Sequence, residues 1–211
     1  MMKKKALVTA GPTYEPIDPV RFIGNHSSGK MGYSLAEELV EEGFEVFLIS
    51  GPTSITPPKD VTFISVQSAK EMYEACLDIY KDMSISIFAA AVADYTPKYV
   101  SDKKIKKKEE EFTIELIKTT DIAREMGLLK QQNQINVGFA LETDNELINA
   151  EKKLNSKNFD FVVLNSLKNE GTCFGSDHNK ITILEHNKRL DFEFKPKKEV
   201  AKDIIKHILS K

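Results

Sequence analysis

The amino-acid sequence predicts an α/β protein: a doubly wound, mainly parallel Rossmann-like sheet with a protruding basic arm and a C-terminal β-hairpin. Three observations carry that reading. Short apolar runs alternate with segments of helical period along most of the chain. Ile85 to Val92 is almost wholly apolar, as a central parallel strand covered on both faces requires. A Gly/Ser-rich stretch, Gly24 to Gly32 (G-N-H-S-S-G-K-M-G), stands directly before a helical pattern.

The 211 residues hold one medium domain, so a single unit over 1–211 is expected, with an excursion near 96–118. Charged residues make up 29% and hydrophobic ones 41%, ordinary values for a globular chain. A net charge of -2 argues against a general nucleic-acid or membrane-surface binder. No stretch approaches the roughly eighteen apolar residues of a membrane span, and Met1-Met2-Lys3-Lys4-Lys5 runs straight into a strand instead of a signal-peptide core. A cytoplasmic protein is expected. Cys76 shares a helical stripe with Met72 and Tyr80, the place of a core residue, and Cys173 lies in a Gly-rich loop. Neither belongs to a C-x-x-C pair, so nothing suggests a metal or redox framework.

Taken in order, Ala6 to Ala10 is a buried strand opening at Gly11-Pro12 into a long loop, Pro12 to Ile23, that carries Glu15, Asp18 and Arg21. Lys30 to Glu42 has Met31, Leu35, Ala36 and Leu39 at helical spacing, with Gly43 as its stop and Ser27 or Ser28 as a candidate N-cap. Phe44 to Ile49 and Val61 to Val66 are strands, and Ser68-Ala69-Lys70-Glu71 has the form of a capping box opening a helix to about Lys81. After the apolar strand comes Asp94, placed either as an Asx-turn residue or as a ligand contact at a strand's carboxyl end. Lys103, Lys104, Lys106, Lys107 and Lys108 surround Ile105, and Phe112, Ile114 and Leu116 then alternate. Such a run is either a solvated face or an arm that reaches over polyphosphate or pairs across a dimer. Thr120-Asp121 begins a helix to Lys130, Ile135 to Leu141 is a strand, and Asp144 to Ser156 a helix. Lys153 and Lys157 share one face near that helix's end, where cations also complement the helix dipole. Phe159 to Leu164 is a strand, Asn169 to Asn179 a loop, and Ile181 to Leu184 with Leu190 to Phe194 a hairpin around His186-Asn187-Lys188. Lys197 to Leu209 closes the chain as a helix.

The Gly24–Gly32 stretch has the composition of a phosphate cradle, because backbone N–H groups and a helix N-terminus can converge on anionic oxygens. Gly24, Gly29 and Lys30 fit G-x-x-x-x-G-K, yet Met31 stands where a P-loop needs a Mg²⁺-binding hydroxyl. Three classes follow. An NAD(P)-linked reductase suits the fold, although G-x-G-x-x-G does not follow the first strand and Ser50 replaces an acid at the end of the second. An enzyme that activates a carboxylate with a nucleoside triphosphate suits the lysines, Asp94 and the Gly/Ser loop. A nucleotide-sensing module needs no catalytic group and leaves Asn25 without a role.

The segments T-A-G-P-T-Y-E-P-I-D-P-V-R-F-I-G-N-H-S-S-G-K-M-G, A-A-V-A-D-Y, K-I-K-K and G-F-A-L-E-T closely resemble the phosphopantothenate–cysteine ligase family of coenzyme A biosynthesis, over essentially all 211 residues. In many bacteria that ligase is fused behind a flavin-dependent decarboxylase, and this chain resembles the monofunctional bacterial form. The resemblance implies that 4'-phosphopantothenate attacks the α-phosphorus of CTP, with Mg²⁺ present, and that L-cysteine then displaces CMP from the acyl-cytidylate. It implies a homodimer whose basic arm lies near the subunit contact. Asn25 matches the family's catalytic asparagine, and Lys104 the catalytic, nucleotide-binding lysine of the flexible arm, expected to fold over the triphosphate. Asp94, Lys153, Lys157, Phe139, the Thr119-Thr120-Asp121-Ile122 segment and Phe88-Ala89-Ala90 match the nucleotide site. Gly11, Gly24, Asn25, Ser27, Ser28, Gly29 and Lys30 form the expected substrate and phosphate loop, and no metal ligand is assigned. Relatives carry Asn-Pro-Asp-Ile where this chain has Thr119-Thr120-Asp121-Ile122, so the family's details of base recognition do not carry over at Thr119 and Thr120. His26 stands where relatives also carry Arg, so an obligatory acid–base role does not carry over.

Overall fold

The computed structural model describes residues 4–106, 110–142, 144–166 and 176–211. Cys173, Lys107, Lys108 and most of the 169–179 loop lie outside the described residues. The chain begins with β1 (Lys5–Ala10), a small hairpin of β2 (Tyr14–Pro16) and β3 (Phe22–Gly24), α1 (Lys30–Glu41), β4 (Glu45–Ser50) and β5 (Val61–Ser65). Next come α2 (Ala69–Ile79) with a tight turn at Tyr80–Asp82, β6 (Ile85–Phe88), β7 (Tyr95–Pro97), β8 (Leu116–Lys118), α3 (Ile122–Leu129) and β9 (Ile135–Glu142). The remainder is α4 (Glu146–Ser156), β10 (Phe161–Ser166), β11 (His178–Asn179), β12 (Ile181–Glu185), β13 (Lys188–Asp191), β14 (Lys195–Pro196) and α5 (Lys197–Leu209).

Among the described residues the main sheet has eight strands in the order β13-β12-β10-β9-β6-β1-β4-β5. Pairing is parallel from β10 through β9, β6, β1 and β4 to β5, and antiparallel where β12 joins β10 and β13 joins β12. The doubly wound sheet and C-terminal hairpin therefore stand as expected. Strand alternation sends side chains to two separate cores. On one face Ala6, Val8, Val46, Leu48, Ile87 and Val163 pack under α1 and α5. On the other, Leu7, Ile49, Phe88, Val162 and Leu164 pack under α2, α3 and α4. A fully buried Leu or Ile in such a layer contributes on the order of 1.5–3 kcal/mol. Cys76 has no exposed surface in the second core, and burial pushes its thiol up to about 12, so it acts as a packing residue.

Local chemistry explains the helix starts. Ser68 Oγ accepts from Glu71 N at 3.2 Å, the first half of a capping box for α2, and the Glu71 carboxylate reaches one residue past the cap to accept from Gln67 N at 2.8 Å. A buried carboxylate adds to it, as Glu15 Oε1 accepts from Ala69 N at 2.8 Å. Asp121 caps α3 by accepting from Arg124 N at 3.2 Å.

Several expectations need correction. The N-cap of α1 is Gly29, with no side-chain cap; Ser27 Oγ accepts from Gly29 N at 3.3 Å instead, because a left-handed Gly29 (φ 79°) turns the chain into the helix. The Pro12–Ile23 segment is no irregular loop: β2 and β3 pair with Tyr14 opposite Gly24 and Pro16 opposite Phe22, and the diagonal neighbours Tyr14 and Phe22 stack with centroids 3.8 Å apart. The Ile85–Val92 strand ends at Phe88, since its chain then leaves the sheet to pair with the loop after β1. The alternating stretch 112–116 contributes only its end, β8, which pairs with β7 at the root of the basic arm. The second hairpin strand starts at Lys188, leaving His186-Asn187 as a two-residue turn.

Candidate functional site

Strand order reverses between β1 and β6, whose neighbours then run outward in opposite directions. Doubly wound sheets bind ligands outside the carboxyl ends of strands at such a switch point. Here the loops leaving β1 and β6 are tied together. Ala91 N donates to Gly11 O at 2.9 Å, and Thr13 N to Ala91 O at 3.2 Å. Ala93 N donates to Thr13 Oγ1 at 3.0 Å, and Ala90 N to Thr9 Oγ1 at 3.3 Å. Above this seam lie two cavities that share the walls Ala90, Ala91, Phe139 and Leu141.

The larger cavity, about 670 Å³, is lined by Asn25, Phe88, Ala90, Asp94, Thr119, Thr120, Asp121, Ile122, Phe139, Lys153 and Lys157, all expected from the sequence. Asn25 follows β3 directly and donates through Nδ2 to Ala91 O at 3.2 Å. The seam therefore fixes the amide while its acceptor and second N–H suit a ligand. Thr119 is pinned on both sides, with Oγ1 donating to Ala93 O at 2.6 Å and N to Asp94 O at 3.0 Å. Lys153 pairs with Glu142 at 2.8 Å and Lys157 with Asp121 at 2.9 Å, so carboxylates from β9 and the α3 cap hold both ammonium groups at the rim. Asp94 and Asp121 are the acids lining this cavity. Among the described residues no cluster of three or more His, Cys, Asp or Glu forms a metal cage.

The smaller cavity, about 160 Å³, is lined by Ser27, Ser28, Gly29 and Lys30 of the Gly/Ser stretch, together with Asn179 and Lys197; Ala89, expected beside the nucleotide, lines this cavity and not the larger one, because the chain leaves the sheet after Phe88. Gly29 packs so closely on Gly11, itself left-handed at φ 70°, that a Cβ added at Gly29 would lie 3.3 Å from the Gly11 Cα. Lys30 is paired with Asp177. Lys197 is half-buried, and burial first and then the nearby Lys30 charge push its ammonium down. Asp177 is the counter-charge of Lys30 and acts on Lys197 as well, so the two cations leave one net positive charge at a partly desolvated recess, which suits an anion.

Lys197 and Asn179 gave no signal in the sequence, since a lysine opening a helix reads as a solvated residue; only the pairing of β11 with β14 brings them to the recess. Conversely, Gly11 and Gly24 line neither cavity: Gly11 supports Gly29, and Gly24 packs against Tyr14. Lys104 lines neither cavity; it lies exposed on the arm.

Fold and site together define a doubly wound α/β protein with a two-compartment cleft at its topological switch point. The chain belongs to the DNA/pantothenate metabolism flavoprotein C-terminal domain family, which matches residues 1–211. It is 47% identical over 207 residues to the coenzyme A biosynthesis bifunctional protein CoaBC of Bacillus subtilis, covering 97% of this chain and 51% of that protein. It is 51% identical over 209 residues to a cysteine/cysteine sulfinic acid decarboxylase of an unknown prokaryotic organism, covering 98% of this chain and 58% of that one. The chain thus spans little more than half the length of these relatives. Its fold is similar to the crystal structure of the C-terminal domain of CoaBC, with a TM-score of 0.83, 42% identity and coverage of 99% and 95%. It also resembles the DNA/pantothenate metabolism flavoprotein from Streptococcus pneumoniae, with a TM-score of 0.84, 24% identity and coverage of 99% of both chains.

Proposed function

We propose that this chain ligates 4'-phosphopantothenate to L-cysteine through an acyl-cytidylate. The observation that carries the reading is the junction of the two cavities. A phosphate held by the Ser27-Ser28-Gly29 turn, Lys30 and Lys197 leaves the rest of an extended acid to run past Ala90 and Ala91 toward Asn25. A triphosphate in the larger cavity meets it there, with Lys153 and Lys157 at the rim.

In the first step a carboxylate oxygen attacks the α-phosphorus of CTP and pyrophosphate leaves with the electron pair of the broken P–O bond. Lys153 and Lys157 offset the charge that builds on the departing phosphates. In the second step the cysteine amine attacks the acyl carbon, loses a proton and expels CMP. The Asn25 amide is suited to the mixed anhydride because it donates to the carbonyl oxygen while staying anchored on Ala91 O. Mg²⁺, when bound, would neutralise triphosphate charge, and Asp94 and Asp121 are the carboxylates of this cavity that would hold it.

The family supports this reading, as does a Cab2 mutant of the same fold, 18% identical, that has been solved in complex with phosphopantothenate-cysteine. We place the protein in the cytoplasm as a homodimer. Val20, Phe22, Tyr99, Val100 and Ile117 are exposed apolar side chains of the β2–β3 hairpin and the arm, available to such a contact, and size measurement by light scattering tests it.

The test is pyrophosphate release with phosphopantothenate, cysteine and each nucleoside triphosphate in turn. The reading expects release with CTP and CMP as co-product. An NAD(P)H absorbance change, or tight nucleotide binding without turnover, overturns it. Carbon dioxide release from cysteine without pyrophosphate would instead match the decarboxylase relative.

A further inference from the structure

We infer that Asp18, acting with Arg21, is the positioning residue that fastens the basic arm to the hairpin carrying Asn25. The inference deepens the ligase reading and rests on it for the arm's task. The geometry is unusually complete. Asp18 has a side chain with no exposed surface, and its Oδ1 accepts from Val20 N and Arg21 N, both at 2.9 Å. A tight turn at a hairpin tip needs only those two bonds. Oδ2 faces elsewhere, accepting from Arg21 Nε at 3.0 Å, from Arg21 Nη2, and from Ile105 N at 3.1 Å. Arg21 Nη2 also donates to Ile105 O at 2.7 Å.

Both backbone groups of Ile105 are therefore held by an ion pair more than eighty residues earlier in the chain. A second tie lies close by, where Ser101 N donates to Ile17 O at 3.0 Å. Ile105 is the apolar residue inside the lysine run, so the clasp fixes the backbone between Lys104 and Lys106 and leaves their side chains to solvent. The same hairpin runs through β3 into Asn25. One rigid element thus links the amide in the larger cavity to the arm, and Asp18 sets where the arm leaves the body. Charge-assisted hydrogen bonds of this kind are the strong ones, and here the carboxylate's acceptor sites are filled.

The test uses Asp18→Asn and Ile105→Pro in the full chain. The first removes the charge that orients Arg21. The second deletes the N–H donated to Asp18 and leaves both clasp residues in place, so it reads the contact even where the first variant folds poorly. Hydrogen exchange over residues 99–106 and tryptic cleavage at Lys103 and Lys106 should rise by about tenfold, the size of one lost charge-assisted bond, with β1 and β6 still protected. The KM for CTP should rise by about the same factor, while kcat and the KM for cysteine change little. Unchanged exchange and cleavage in both variants overturn the clasp. A loosened arm with an unchanged KM for CTP overturns its positioning role. If the unaltered protein turns over no nucleoside triphosphate, the ligase reading has failed, and the exchange data alone still decide whether Asp18 holds the arm.

Discussion

The two ends of the parallel sheet are built on opposite principles. At the amino edge, polar groups are turned on each other. The Tyr80 hydroxyl and the Asn136 amide exchange bonds of 2.8 and 3.2 Å, and Gln134 Nε2 donates to Tyr80 O at 2.9 Å and Met83 O at 2.8 Å. Asp160 accepts from Asn136 N at 2.6 Å and from Lys130 Nζ at 2.8 Å. At the carboxyl edge the same residue types face cavities: an amide with one bond to the seam, lysines held at a rim, and a Gly/Ser turn beside two cations. Buried networks closed on themselves specify a fold. Polar groups held in place with capacity to spare specify a site.

The largest effect expected at the carboxyl edge comes from Asn25→Asp. It should lower product formation by roughly 10²–10³-fold, as loss of a preorganised donor does, while acyl-cytidylate accumulates and the melting temperature holds; mass spectrometry of quenched reactions reads the intermediate. At the amino edge, Asn136→Leu should do the reverse. Leaving the buried Tyr80 hydroxyl without its partner costs about 2–3 kcal/mol in urea unfolding, with kcat per folded molecule unchanged. A drop in kcat without a loss of stability would erase the distinction between the edges.

Most of this division was legible in the residues, but unevenly. Periodicity placed α1, α2, α5 and the parallel strands because their apolar positions match one dominant face or two. The resemblance picked out Asn25, Asp94, Lys153 and Lys157, and the structure gathers them around one cavity. What stayed hidden depended on pairing between distant segments. The short β2–β3 hairpin looks like a proline-rich loop until Tyr14 and Phe22 stack. Lys197 enters the recess only through the β11–β14 bridge. Asp18 and Arg21 stood out only as charges of a long loop after the first strand, and their pairing with the arm stayed hidden because their partner, Ile105, contributes only backbone.

Smaller effects sharpen the comparison further. Lys153→Met should raise the KM for CTP by roughly tenfold, the weight of one partly buried charge contact, and shift stability far less than Asn136→Leu. The Arg21 guanidinium holds the Asp18 carboxyl well below its ordinary value of 3.8. A carboxylate lowered on folding stabilises above its unfolded value and loses that contribution as pH falls through the folded one. Protection of the Ile105 amide, corrected for intrinsic exchange, should therefore stay level from about pH 7 to pH 5 and decline only below 3.8. The least change belongs to the exposed Lys70–Glu74 pair, 3.9 Å apart on α2 and remote from both edges. Lys70→Ala should move the unfolding free energy by less than about 0.5 kcal/mol and leave turnover alone.

The central claim is that an acid and a nucleotide become covalently joined where the two cavities meet. It is tested most directly by supplying 4'-phosphopantothenate with ¹⁸O in its carboxylate, together with CTP and cysteine, and weighing the products. Attack on the α-phosphorus followed by amine displacement leaves one heavy oxygen in CMP and the other in the new amide. Unlabelled CDP beside labelled inorganic phosphate would show that the acid was activated as an acyl phosphate, and would contradict the account.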